Sequence, residues 1–225
     1  LDEMCTYFMD NGQIVMIEED REGHQIIDKV KKSRKIRYDK IVILVNDNSA
    51  SCSEVFTMAL KENCGAIVVG TTTYGKGVAQ LQKIFPDGSA IKYTDVIWKS
   101  GNGVFINGEG ITPDYTVRLH DALYANILTL DDEETYQFDQ VSYKIGVVQT
   151  MLDFLGYQPD RQDGYFSRAT KTALEAFQRD NSLEVTGILD KTTASVMDAR
   201  VINEWSINRD QHDTQMQKAL QLAKE

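Results

Sequence analysis

Two short segments carry the residues best suited to chemistry. Asn48-Ser49-Ala50-Ser51-Cys52-Ser53-Glu54 offers a serine at what reads as the start of a helix. Tyr74-Gly75-Lys76-Gly77-Val78-Ala79-Gln80 sets a lysine between two glycines, with a glutamine four residues on. A serine hydroxyl is a poor nucleophile until a base takes its proton. A lysine can be that base when burial disfavours its charged form. The pair points to acyl transfer, and hence to a protease.

Each residue taken alone has a plainer role. Ser51-x-x-Glu54 is a capping box ahead of the apolar run Val55, Phe56, Met58, Ala59 and Leu60. Lys76 alone suits a solvated loop, and Gln80 alone a strand surface. Ser49 and Ser53 are rival nucleophiles. Gly70-Thr-Thr-Thr-Tyr-Gly75-Lys76 also spells most of a phosphate-binding loop, but that motif needs Ser or Thr after the lysine and then a helix. Here Gly77 follows, and then a strand-like stretch. His24, His120 and His212 read as surface or loop residues outside any triad, and no spacing suggests a zinc site.

The two segments resemble those of the carboxyl-terminal processing (tail-specific) proteases, whose core is related to the crotonase fold. After a strand ending at Val45-Asn46 comes Ser49-Ala50-Ser51-Cys52-Ser53-Glu54. Gly70-Thr71-Thr72-Thr73-Tyr74-Gly75-Lys76-Gly77-Val78-Ala79-Gln80 follows, and then the closing Gly110-Ile111-Thr112-Pro113-Asp114. The likeness covers about residues 1–118. It selects Ser51 as nucleophile, Lys76 as general base and Gln80 as the residue that orients the lysine. Asn48 stands where the family often has Gly, at a turn position that Asn also tolerates. The amide of Cys52, at the positive end of the helix, is the expected oxyanion donor. Cys52 itself reads as a small buried residue. Leu1 to Met9 reads as a helix closed by Gly12. In the family this helix follows a strand and a Gly-Gly turn, so the resemblance implies a poorly active C-terminal fragment of a longer exported protein.

The elements that must hold these residues follow from hydrophobic pattern. Gln13–Ile17 and His24–Ile27 read as strands joined by a turn, and 29–40 as a polar loop. The continuous apolar run 40–45 suits a strand buried on both faces. A helix over 52–62 and a strand over 66–69 complete a βαβ unit. Pro86-Asp87-Gly88 makes 78–85 and 89–98 a hairpin, and 98–110 reads as a loop with a short strand near Val104–Ile106.

A different pattern begins near Ser142. Val148-Gln149-x-x-Leu152, Leu155-Gly156-Tyr157, Asp163-Gly164-Tyr165-Phe166, Ala173-x-x-x-Phe177-Gln178 and Val185-x-Gly187-x-x-Asp190 resemble the three-helix peptidoglycan-binding domain. Leu152, Phe166, Phe177 and Leu183 are its expected core, and Tyr157, Asp163 and Tyr165 its candidate ligand contacts. Asp213 to Leu220 resembles the helix that closes many of these proteases. The expected architecture is α/β: a partial crotonase-like protease core (1–140), an inserted three-helix peptidoglycan-binding module (141–199), and a C-terminal helix (200–225) returning to the protease or to a dimer partner. The expected partners are a polypeptide substrate and peptidoglycan, with an extracytoplasmic, wall- or membrane-associated location. The competing expectation is a catalytically silent wall-binding scaffold. A net charge of −10 argues against nucleic acid as a partner. No apolar run approaches the ~18 residues of a membrane span, the three cysteines form no disulfide framework, and neither a cofactor nor a metal is called for.

Overall fold

The computed structural model describes residues 1–225 and divides them into two units, Leu1–Arg118 with Thr214–Glu225, and Leu119–Asp213. In the first unit, the apolar runs separated by turn residues become two sheets. β1 (Ile14–Asp20) pairs antiparallel with β2 (Gln25–Lys29). Asp20 Oδ1 shapes their turn by accepting from the N–H groups of Glu22 and His24 at 2.8 and 2.9 Å. β5 (Val78–Ile84) and β6 (Ala90–Lys99) form the expected hairpin, and β6 also pairs with β1, giving the order β2-β1-β6-β5. That second pairing reaches only from Val96 to Lys99. The rest of the hairpin therefore stands clear of the sheet as a two-stranded ribbon, with Leu81, Ile84, Ile91 and Tyr93 exposed.

The second sheet is the βαβ unit. β3 (Val42–Val45) lies parallel to β4 (Ile67–Gly70), joined by α2 (Cys52–Cys64). A two-residue strand, β7 (Tyr115–Thr116), extends it parallel to β4; so short a strand leaves no periodicity to read. Gly70 has no substitute in this arrangement: φ is +138° and an added Cβ would lie 1.8 Å from Val45 O. The strand expected near Val104–Ile106 is instead irregular, because Ile106 turns inward and is 3% exposed. The opening helix, α1, is a single turn, Asp2–Thr6, where a helix to Met9 was expected. The chain leaves it so that Met9, fully buried, can enter the core.

The helix closing the chain, α7 (Thr214–Lys224), belongs to this unit. It buries Ala219 and Leu222 on the β3–β4 side, and Gln215 Nε2 donates to Val117 O at 2.8 Å. Lys40 Nζ donates to the Leu222 carbonyl at 2.9 Å, a cation at a helix C-terminus where the backbone lacks partners.

The second unit is helical, built on α3 (Tyr143–Phe154), α4 (Arg168–Asp180) and α5 (Lys191–Ile207), followed by the short α6 (Arg209–His212). Leu152, Phe166 and Phe177 are fully buried, whereas Leu183 is only partly buried against that core. The unit is wider than the expected 141–199. Leu128 and Leu130 are buried in the same core, and α5 runs unbroken through position 199. Ser142, Ser167 and Asp190 cap the three helices, each accepting from a backbone N–H in the first turn. Two buried glutamines hold its loops. Gln149 accepts from Gly164 N and donates to Tyr165 O; Gln178 accepts from Thr186 N and Gly187 N and donates to Ile188 O.

Candidate active site

Ser51 sits where β3 hands over to α2, as its N-cap residue, at φ +56° and ψ −118°. Among non-glycine residues this is a strained conformation that the surroundings must hold. Neither neighbouring serine shares it. Ser49 turns its hydroxyl back to accept from Asn46 N at 3.1 Å, and Ser53 lies within the first helical turn. Cys52, the first residue of α2, leaves its N–H without an acceptor, as the first N–H groups of a helix do. The Cys52 side chain is exposed, contrary to the expected burial, because α2 turns that face away from the core. Cys5 is the buried thiol, and desolvation pushes it up to about 11.

Glu54 holds both segments together. Its side chain is 1% exposed. The carboxylate accepts from Ser51 N at 2.9 Å, the expected reach of a capping box. It also accepts from Thr73 Oγ1 at 2.5 Å, Gly75 N at 2.7 Å and Lys76 N at 2.9 Å. Four donors thus converge on one buried carboxylate, and the serine turn and the lysine loop share it. The Lys76 backbone is fixed from its other end too, since Trp98 Nε1 donates to Lys76 O at 2.8 Å. The sequence pattern identified Glu54 only as a local cap; its long-range role had no periodic signal.

The segment 106–111 clamps the lysine loop. Gly108 N donates to Gly75 O at 2.8 Å, Thr73 N to Ile111 O at 3.2 Å, and Ile111 N to Thr73 Oγ1 at 2.7 Å. The backbones approach so closely that a Cβ on Gly110 (φ +75°) would lie 2.2 Å from Thr73 O. Gly77 N donates to Asn107 Oδ1 at 3.1 Å. The Gly-Ile-x-Pro-Asp element therefore does more than end the domain. Its last residue, Asp114, accepts from Val68 N and pairs with Lys61 at 2.6 Å. Burial works to raise the Asp114 pKa, but Lys61 and the backbone donor outweigh it and hold the group below its ordinary value.

A cleft of about 610 Å³ opens over this clamp, lined by Ala50, Lys76, Gln80 and Asn107 among others. Lys76 is half-buried, and its Nζ makes neither an ion pair nor a hydrogen bond. Gln80 is exposed on β5, and no hydrogen bond joins its side chain, Lys76 Nζ and Ser51 Oγ. On the other side of the Ser51 turn, Cys52 and Ser49 line a second hollow with Met4, Leu44 and Phe56. The Ser51 turn thus lies between the cleft that Lys76 lines and a second, more apolar hollow. Elsewhere in the unit, Asp20, Glu22 and His24 lie close enough to share an ion, but they are exposed and Asp20 Oδ1 is already committed to its turn.

In the second unit, two of the three expected ligand contacts, Asp163 and Tyr165, share Arg161, and Tyr157 has partners of its own. Tyr157 is packed edge-on to Phe177 and donates to Asp180 at 3.1 Å, beside a small polar cleft that Arg200 and Asn203 also line. Asp163 is paired with Arg161, which holds its carboxyl low at about 2. Arg161 lies over the Tyr165 ring, whose hydroxyl donates to Asp139 at 2.8 Å. Of the histidines read as surface or loop residues, His120 lies in a loop and His212 in α6, and both flank Phe154, with ring centroids 5.2 Å and 4.5 Å away.

The comparisons with known proteins match two separate stretches of the chain. The model described as "Peptidase family S41" matches residues 1–117, and the one described as "Putative peptidoglycan binding domain" matches residues 142–197. The chain belongs to peptidase family S41 and carries a peptidoglycan-binding-type domain. It is similar to the "Probable CtpA-like serine protease" of Staphylococcus aureus (strain N315), 35% identical over 99% of this chain and 44% of that protein. The protein of the same description from Staphylococcus epidermidis (strain ATCC 12228) is 35% identical over 85% of this chain and 39% of that one. The chain thus spans less than half the length of these curated relatives. Among solved structures, the photosystem II D1 C-terminal processing protease is 30% identical, with a TM-score of 0.44 over 52% of this chain and 30% of that one.

Proposed function

We propose that the first unit hydrolyses peptide bonds with Ser51 as nucleophile, Lys76 as general base and Gln80 as the residue that orients the lysine amine. One observation carries the reading: the buried Glu54 carboxylate binds Ser51 N and Lys76 N together, at 2.9 Å each. That arrangement spends a buried charge on coupling a strained serine to a lysine loop. In the reaction, Ser51 Oγ attacks the peptide carbonyl carbon and its proton passes to unprotonated Lys76. The C–N bond then breaks as Lys76 returns the proton to the leaving amine. Water hydrolyses the acyl ester, releasing a carboxylic acid and restoring the serine. The free Cys52 N–H, at the positive end of α2, donates to the oxyanion. The motif resemblance extends the reading to cleavage near polypeptide C-termini on a crotonase-like core. The helical unit then serves as a peptidoglycan tether through Tyr157, Asp163 and Tyr165, in an extracytoplasmic, wall- or membrane-associated protein. A homodimer formed through α7 would use its outer face, where Leu220 is exposed; sedimentation velocity would report it as a doubled mass.

The test is cleavage of an unfolded polypeptide by the protein and by its Ser51→Ala and Lys76→Ala variants. Both substitutions are expected to lower kcat by about a thousandfold or more. Full activity in both would remove the assignment. The missing Ser51–Lys76–Gln80 hydrogen bonds favour a second reading, a silent wall-binding scaffold. That reading predicts sedimentation with purified peptidoglycan and no serine-dependent cleavage.

A further inference from the structure

Asn107 faces the candidate cleft with half of its hydrogen-bonding capacity unused. Its Oδ1 accepts from Gly77 N at 3.1 Å, which fixes which end of the amide points at the lysine loop. The Nδ2 group consequently points away from Gly77, and it donates to no protein atom. The residue is exposed and lines the same cleft as Lys76, Gln80 and Ala50. The anchor is stiff, since Gly77 packs so tightly that an added Cβ would meet Asn107 Cβ at 2.8 Å. The neighbouring Gly108 N is bonded to Gly75 O. An amide N–H2 held rigidly in a cleft is a preorganised donor, and such donors act on acceptors with little ordering cost. The acceptor a polypeptide offers at every residue is its backbone carbonyl.

Resting on the Ser51/Lys76 reading, we propose that Asn107 binds substrate: its side-chain N–H2 donates to a backbone carbonyl of the polypeptide in the cleft and sets the register of the chain before Lys76. Tethering Gly77 and binding substrate use opposite ends of one amide, so an isosteric change separates them. Asn107→Asp keeps an acceptor for Gly77 N and removes the donor. Asn107→Ala removes both.

The deciding experiment measures binding of a fluorescently labelled unfolded polypeptide to Ser51→Ala protein, so that chemistry plays no part. Asn107→Asp in that background is expected to weaken binding about tenfold, the scale of one lost hydrogen bond, with unchanged thermal unfolding. An unchanged Kd would show that Asn107 only tethers Gly77 and would overturn the proposal, as would no binding by the Ser51→Ala parent. Steady-state kinetics with Ser51 intact should show the Asp variant's loss mainly in KM. A loss confined to kcat, with a shifted pH profile, would mean that the new charge acts on Lys76 and no substrate contact was removed. Failure of the Ser/Lys reading itself would appear separately, as peptide binding that depends on Asn107 with cleavage that does not depend on Ser51.

Discussion

Ser51 holds a backbone conformation that costs a serine on the order of 1–3 kcal/mol, and Glu54 N and Val55 N keep it there by bonding to its carbonyl at 2.8 and 3.0 Å. Glycine adopts positive φ without that cost. Ser51→Gly is therefore expected to raise the melting temperature by a few degrees while abolishing cleavage; a lower melting temperature would show that the turn is not strained. Glu54 is the opposite case. In Glu54→Gln the side chain keeps its volume but turns an N–H2 toward donors that need acceptors. The expected loss, read by urea unfolding, is about 1–3 kcal/mol, with cleavage falling further than stability alone explains. A Glu54→Gln variant with parental stability would mean that its four hydrogen bonds are replaceable. In the sequence, the motif resemblance singled out Ser51, Lys76 and Gln80 as candidates, where the residues alone left Ser49 and Ser53 as rivals. Glu54 was legible only as a cap, because Thr73 and Gly75 reach it from some twenty positions away, and exposure of Cys52 depended on how α2 is rolled against the sheet.

At the scale of elements, the apolar run of β3, the capping box of α2 and the turn of the β5–β6 hairpin were readable because each is a local pattern. The clamp between 73–77 and 106–111 was not, since it is made by backbone atoms, glycines and two polar side chains, Thr73 and Asn107, which carry no periodic hydropathy signal. Its consequence is nonetheless sharp. In Gly110→Ala the added methyl would have to displace Thr73 O at 2.2 Å, at a φ of +75° that alanine disfavours. The variant is expected to lose more than about 2 kcal/mol and to release the lysine loop, seen as faster amide exchange at Gly75 and Lys76. Parental exchange rates there would contradict the clamp. In the helical unit, the Val-Gln and Phe-Gln elements proved to hold loops through Gln149 and Gln178, a use of motif residues that sequence alone does not distinguish from ligand binding.

Across the whole molecule, the division into two units follows burial more closely than motif boundaries. Segment 119–140 lacks any motif, yet Leu128 and Leu130 bring it into the helical core. Near its surface, Lys144 reaches both oxygens of Glu134 at 2.7 and 2.8 Å, and Tyr136 adds a third hydrogen bond at 2.6 Å. Lys144 and then Tyr136 lower the Glu134 pKa from 4.5 to about 2. A carboxyl depressed by folding adds stability that is complete above its unfolded value and is lost as pH falls through the folded one. The helical unit should therefore lose stability between about pH 4.5 and 2, and Glu134→Gln should flatten that loss; an unaltered profile would assign acid sensitivity to other groups. The claim that joins all three scales is that Ser51 is an activated nucleophile and Lys76 its base. Peptide mapping after treatment with a fluorophosphonate probe tests it most directly. A single adduct on Ser51 that disappears in Lys76→Ala is expected; modification of Ser49 or Ser53, or a Ser51 adduct formed equally fast without Lys76, would contradict it.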